Sequence, residues 1–557
     1  MTVNLEVLRP APVDPAADEV MVSMRDGVRL ATDVYLPDAP GRHPAVLVRL
    51  PYDKCGRYTF MPRCASFFTE RGFVFVVQDV RGKFRSEGET MPFVHETEDG
   101  YDTLDWIVAQ GWSDGSVGMW GDSYYGYTQW AAVASGHPAL KAMVPRVTSA
   151  DLRVLTEWWG DSVVPLYGAD YLAHYWADPL IYFFEPDYAR RPLAKAYDEG
   201  FAAIGTRAAS FDQMLRIDGP GGFAQYPGGH PFDKLRVPVL HSVGWFDNIL
   251  PYSMIDYERL CARPDPAALQ YLNADATDHE NYHLRYVPVG PENDHDTDDD
   301  ALARMMQVYL GPGLEFLDVF LQGRGDPASI ARATWFLGHD DWRRSPTWPP
   351  PGAKELRLYL GGAGRAADGP EGGALRAAPE AAAGTARWVH DPDDLVPSTP
   401  LNPFAFLLSW PDEREVQGRG DVLTFTSEPV EEPLDLAGPV TAALALGSSA
   451  ASLHVHVKLC DVYTDGSARM LLRGERLVRE SEYGGLVEVG LSHTGHRLLP
   501  GHRLRLAVAS SDFPLYLPHP GTEENPWFAT RGERNEQTLG TGGAAPSHLR
   551  VTTLDAA

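Results

Sequence analysis

The sequence predicts an α/β domain built on a largely parallel sheet, interrupted by a helical insertion and followed by an all-β sandwich. Three observations carry this. Short apolar runs rich in β-branched residues alternate with helix-like segments over the first third of the chain, as strands of a sheet covered on both faces do. Ten aromatic residues then crowd positions 151–188 in a stretch of helical texture. Beyond residue 345 the chain turns to short alternating segments, with turn signals about every 8–15 residues, the pattern of a sandwich.

The elements follow in order. HPAVLVRL (43–50), FVFVVQDV (73–80) and SVGMW (116–120) read as buried strands, with a helix over 99–110 and another from Tyr125. The pattern resumes at VPVLHSVGW (237–245) and LRYVPVGP (284–291). PPPGAKE (349–355) marks a boundary, and the low-complexity segment 361–384 reads as a loop. The expected division is an α/β catalytic domain over 1–145 and 236–345, a helical cap over 146–235, and a sandwich over 346–557.

Composition bounds the function. The chain has 557 residues, of which 44% are hydrophobic and 22% charged, as in soluble globular proteins. Its net charge of −28 repels phosphate backbones and anionic membranes, so no nucleic-acid or membrane partner is expected. Four cysteines without a CxxC pair fit a reducing compartment. The amino terminus lacks a basic and an apolar signal region, and no apolar run reaches membrane-spanning length. A cytoplasmic location is the expectation.

The chemistry is densest at Gly121-Asp122-Ser123-Tyr124-Tyr125-Gly126, which follows a strand and opens a helix. A nucleophilic serine on a strand-to-helix turn is the elbow of an α/β hydrolase, although the usual second glycine comes one residue later here. Such a serine needs a base, and the base needs an orienting acid. Asp247 follows the strand at 237–245, and His295 follows the expected strand at 284–291, in the required Ser–Asp–His order. His279 and His283 are the alternatives. Both stand before the expected strand 284–291, so His295 is preferred.

Together with LATDVYLP, RLPYDK, VVQDVRGKFRSEGE, VGWFDN and VGPENDH, this motif resembles the cocaine esterase-like (CocE/NonD) branch of the α/β hydrolases. That branch is related to α-amino acid ester hydrolases and X-Pro dipeptidyl peptidases (S15-like). VLTFTSEPVEEPLDLAGPV and VKLCDVYTDGSARML extend the likeness into the second half of the chain. The resemblance implies an α/β hydrolase with a helical cap insertion, plus a C-terminal all-β jelly-roll sandwich. It implies Ser123 as nucleophile, Asp247 as orienting acid and His295 as base. The oxyanion hole it implies joins the Tyr52 hydroxyl to the backbone N–H of Tyr124. The family's Gly-Pro-Trp-x-His loop is altered here to Gly290-Pro291-Glu292-Asn293-Asp294-His295.

Other residues weigh against special roles. Asp294, Asp296 and Asp298 mimic the start of a calcium loop, but Asp299 stands where glycine belongs and Met305 where glutamate belongs. A solvated loop or helix start is favoured. His454 and His456 share one strand face without a third ligand, so a sandwich surface is favoured over zinc. Asp79, Arg81 and Arg85 read as ion pairs or loop anchors. Trp158 and Trp159 are the candidates for lining a substrate pocket, with Tyr58 and Phe60 as further ones.

The expectation is therefore a serine hydrolase that cleaves carboxylic esters or amides of small molecules through an acyl-enzyme, with no cofactor and no metal. X-Pro dipeptidyl peptidase-like, amino acid ester hydrolase or acyltransferase activity is the alternative. A non-catalytic small-molecule-binding protein is the alternative of another class. A homodimer is compatible with the resemblance, though no segment marks an interface.

Overall fold

Residues 4–152, 157–217, 225–285 and 289–555 are described by the computed structural model. Its first layer is a ten-stranded sheet. Across it run strands 342–345, 333–336, 270–275, 239–244, 140–146, 113–122, 43–50, 74–79, 29–35 and 18–23. Neighbours pair in parallel from 333–336 through to 74–79. The edges are antiparallel. The central strands are apolar because both their faces are covered: Val46, Leu47, Val48, Val74, Phe75 and Val76 are all fully buried.

Chain order and sheet order part company at one place. Strand His43–Leu50 lies between Val74–Asp79, which follows it, and Ser113–Asp122, which comes later. Connections leave these strands in opposite directions, so a crevice opens above their carboxyl ends. Tyr52 lies just past the first of these ends and Ser123 just past the second.

Between strands Leu140–Arg146 and Val239–Gly244 the chain forms helices Leu166–Tyr175, Asp198–Ile204, Ala209–Leu215 and Pro231–Lys234. A short strand Ile181–Phe183 pairs with Glu6–Leu8, so the amino terminus crosses this insertion. Lys83 ties the insertion to the sheet. Its ammonium donates to the carbonyls of Tyr175, Asp178 and Leu180, and burial lowers its pKa to about 7.

Among the described residues the carboxy-terminal half is an all-β unit of eleven strands. Strand Ser452–Val462 is buried along its whole length, between Ala468–Arg479 and Arg503–Ala509. His454 and His456 are therefore interior residues, 4% and 5% exposed, rather than surface ones. The low-complexity segment also departs from expectation. It contains strand Gly373–Arg376, which pairs in parallel with Leu423–Ser427.

None of the described residues of the expected strand at 284–291 is part of the sheet. Residues 286–288 lie outside the described residues, and Leu284, Arg285, Val289 and Gly290 are not in a strand. The sheet continues through Gln270–Asp275 instead. That strand reads QYLNAD, too polar to stand out. Its buried Gln270 is satisfied sideways by His241 on the neighbouring strand, 2.7 Å away.

Candidate active site

Ser123 sits at the turn between strand Ser113–Asp122 and helix Ser123–Ser135, with φ at +51°. A non-glycine residue in this left-handed region is strained, and the elbow geometry imposes it. Two glycines let the turn pack closely. A Cβ at Gly121 would collide with the Tyr125 ring, and one at Gly126 would meet Thr148 at 2.5 Å. The shifted second glycine thus serves the helix-to-loop contact behind the elbow.

Tyr52 closes one side. Its hydroxyl bonds that of Tyr171 at 3.1 Å and also interacts with the Ser123 side chain and the Tyr124 backbone N–H. Burial raises the phenol pKa well above its ordinary value, so the group stays a donor at neutral pH. The loop carrying it is pinned by Asp79, which accepts the Lys54 N–H at 2.8 Å. Arg81 is an ion-pair anchor on Asp99 at 2.6 Å, and Arg85 donates to the Ala11 carbonyl.

Tyr124 is locked on the other side. Its hydroxyl accepts from the Phe93 N–H at 2.7 Å and donates to Glu96 at 3.0 Å. Glu96 pairs in turn with the fully buried Arg49 at 2.7 Å. Removing one member would leave a buried charge without its partner, at about 3–5 kcal/mol. The network thereby fixes the backbone N–H of Tyr124 beside Ser123.

Asp247 follows strand Val239–Gly244, and its Oδ1 lies 2.7 Å from Nδ1 of His279. This corrects the expected pairing with His295. His279 follows strand Gln270–Asp275 by four residues, so it too lies past a strand's carboxyl end. His295 instead lies against the rings of Tyr282 and Phe60, at 4.3 and 6.3 Å between centroids, with Asp296 3.9 Å away. His283 pairs with Asp275 at 3.0 Å. Burial pushes the His279 pKa down, but the Asp247 carboxylate opposes it and, with Glu280 and Asp122, leaves the net shift upward.

Arg146 ties this histidine loop to the elbow. It donates to Asp122 at 2.8 Å and to Asn281 at 3.0 Å, over the ring of Tyr309. A second tie comes from the carboxy-terminal half. The fully buried Asp278 accepts backbone N–H groups from Glu280, Tyr282 and Leu407. The Phe404 ring packs edge-on to His279 at 5.2 Å, and its carbonyl accepts the Glu280 N–H.

The rings bordering Tyr52 are Tyr58, Tyr125, Tyr171 and Tyr175. Tyr171 and Tyr175 lie one turn apart on helix Leu166–Tyr175 and stack at 4.6 Å. Trp158 and Trp159 are partly buried and pack against the core cluster that contains Tyr52. Glu280 completes the wall, with its carboxylate 3.4 Å from the Tyr58 hydroxyl. Burial raises its pKa and His279 opposes the rise. Sequence reasoning missed Glu280, Tyr171 and Tyr175; the only signal was the aromatic density of the insertion.

The acidic run is a helix start. Asp298 caps helix Asp299–Phe320 by accepting the Ala301 N–H, and Asp294 and Asp296 both take the Tyr282 hydroxyl.

Comparison with known proteins agrees with this architecture. The family described as X-Pro dipeptidyl-peptidase (S15 family) matches residues 26–279. The X-Pro dipeptidyl-peptidase C-terminal non-catalytic domain matches 317–550. A cocaine esterase of Rhodococcus sp. (strain MB1 Bresler) is 34% identical over 546 residues, covering 90% of this chain and 91% of its own. An α-amino acid ester hydrolase structure superposes with a TM-score of 0.79 at 26% identity, over 98% of both chains. An aminopeptidase from a marine sediment Thaumarchaeota archaeon gives 0.76 at 25% identity, also over 98% of both. Among the described residues no helix is long and apolar enough to cross a membrane. The α/β-hydrolase sheet, the all-β unit behind it and these matches together show that the chain belongs to the cocaine esterase-like, S15-related family of serine hydrolases.

Proposed function

We propose that the protein hydrolyses carboxylic esters of small molecules through an acyl-enzyme on Ser123, with His279 as general base and Asp247 as its orienting acid. The observation that carries this reading is the 2.7 Å contact from Asp247 to His279 Nδ1, which leaves Nε2 to take the serine proton. As Oγ attacks the carbonyl carbon, His279 accepts that proton. The charge developing on the carbonyl oxygen is met by the Tyr52 hydroxyl and the Tyr124 N–H, donors fixed before the reaction begins. The imidazolium then protonates the leaving alcohol, and water, deprotonated by the same ring, releases the acid.

A fluorophosphonate tests the nucleophile. It should stop p-nitrophenyl ester turnover and add one phosphonyl group, found by peptide mass mapping at Ser123. In the same assay Tyr52→Phe should lower kcat about 10²–10³-fold. An adduct elsewhere, or turnover surviving full labelling of Ser123, would sink the reading.

A second reading, esters of α-amino acids, is favoured by Glu280, whose half-buried carboxylate faces tyrosine rings beside His279. A substrate ammonium would find there both a counter-charge and aromatic faces. Comparing kcat/KM for an amino acid ester and its des-amino counterpart separates the two. A preference lost in Glu280→Gln supports the amino acid reading, and equal values for wild type refute it.

A further inference from the structure

The junction between the hydrolase sheet and the carboxy-terminal β unit holds a second cluster of imidazole and carboxylate groups, on residues the proposed chemistry does not use. Strand Ala333–Phe336 ends in a turn that carries Gly338 and His339. This turn is stitched onto strand Leu486–Leu498: the Gly338 N–H donates to the Gly495 carbonyl, and Arg497 N–H donates to the Gly338 carbonyl. Arg497 also spans the junction, pairing with Asp435 at 2.6 Å and with Asp340 at 3.1 Å. A Cβ at position 338 would lie 2.7 Å from Nδ1 of His496, so glycine there lets the turn sit directly on that ring.

Behind the turn, Asp461 is fully buried and links two histidines. Its Oδ2 lies 3.0 Å from His496 Nε2, and its Oδ1 lies 2.8 Å from His502 Nδ1. His339 completes the group from the hydrolase side, with its ring 4.8 Å from that of His496. One potential ligand atom from each of His339, Asp461 and His496 lies within 4.8 Å of the others.

Burial, together with the neighbouring His496 and His502, lowers the His339 pKa to about 3, so its ring is neutral. Burial would raise the Asp461 pKa, but the two histidines outweigh it and the carboxyl stays ionised. The nitrogen of His496 that faces Asp461 is Nε2, while Nδ1, on the other side of the ring, abuts the Gly338 backbone.

We propose that His339, His496 and Asp461 bind a divalent late first-row transition ion of the zinc type, clasping the hydrolase domain to the β unit. Two imidazoles and a carboxylate are ligands such ions take, at about 2.0–2.2 Å. His339 is the partly exposed member, and its Nε2 lies 3.1 Å from the Tyr463 hydroxyl. His502 holds the second carboxylate oxygen and thereby orients the first, as residues behind metal ligands commonly do. None of the three residues belongs to the proposed triad, so the inference stands apart from the reading of Ser123.

Calorimetric zinc titration of untagged, chelator-stripped protein tests it. Wild type and Ser123→Ala should each take up one equivalent, with a rise in the thermal midpoint. His339→Asn, chosen because asparagine tolerates the positive φ of +66° at this position, should lose stoichiometric uptake while keeping its ester turnover. His502→Gln should bind about 10–100-fold more weakly. His496→Gln should also lose uptake, and if it does not fold, His339→Asn decides the matter. No stoichiometric uptake by wild type, or uptake by His339→Asn equal to wild type, overturns the proposal.

Discussion

His279→Ala should lower the kcat of ester hydrolysis about 10⁶-fold, whereas His295→Ala should leave it within about tenfold of wild type. Steady-state kinetics on a p-nitrophenyl ester reads both. The asymmetry follows from position. His279 bonds Asp247 and lies two residues before Asn281, which Arg146 ties to the elbow residue Asp122. His295 is held by aromatic rings on the far side of that loop. Without the imidazole at 279, the Ser123 hydroxyl keeps its proton and is a poor nucleophile near neutral pH. The reverse result, a dead His295 variant and an active His279 variant, would return the base to its sequence-expected place.

Asp247→Asn should lower kcat about 10⁴-fold while leaving the fold intact. An asparagine amide turned to Nδ1 donates to it and leaves the proton on Nε2, the nitrogen that must accept one. The pH profile should move as well. In wild type the carboxylate is the main influence raising the His279 pKa against burial. The base works only when neutral, so activity falls as pH drops through that raised value, which lies above the ordinary histidine value of about 6.5. Without the charge on residue 247, the acid limb of kcat/KM should shift to lower pH. A limb that stays where it was would mean that the titrating group is not His279.

How much of this was legible in the sequence depended on how much chemistry each residue shares with its neighbours. Strand His43–Leu50 was readable because both its faces are covered and its middle residues, Ala45, Val46, Leu47 and Val48, are apolar and fully buried. Ser123 was readable because an elbow needs small residues at fixed places, and Asp247 because an apolar strand leads straight to it. The base was not. Its strand, Gln270–Asp275, hides polar residues in a covered sheet by pairing them sideways, as Gln270 does with His241. Periodicity cannot see such a pairing, and the more apolar run at 284–291 took its place, carrying the choice to His295. His454 and His456 misled for a related reason. Alternation suggested a solvated face, yet strand Ser452–Val462 has a neighbour on each side and is buried throughout. The partners that make a residue buried or catalytic come from distant parts of the chain, and one sequence does not display them.

The buried Asp278 carries a consequence for how such an enzyme can change over time. The loop bearing the base is clamped by Leu407 and Phe404, residues that belong to the carboxy-terminal half. The β unit is therefore no passenger. A gene encoding the hydrolase half alone would make Ser123, Asp247, Tyr52 and Tyr124, but would lose the contacts that hold the His279 loop. Trimming, fusion or exchange of modules at this junction is then constrained by chemistry as well as by folding, and the two halves must be inherited together.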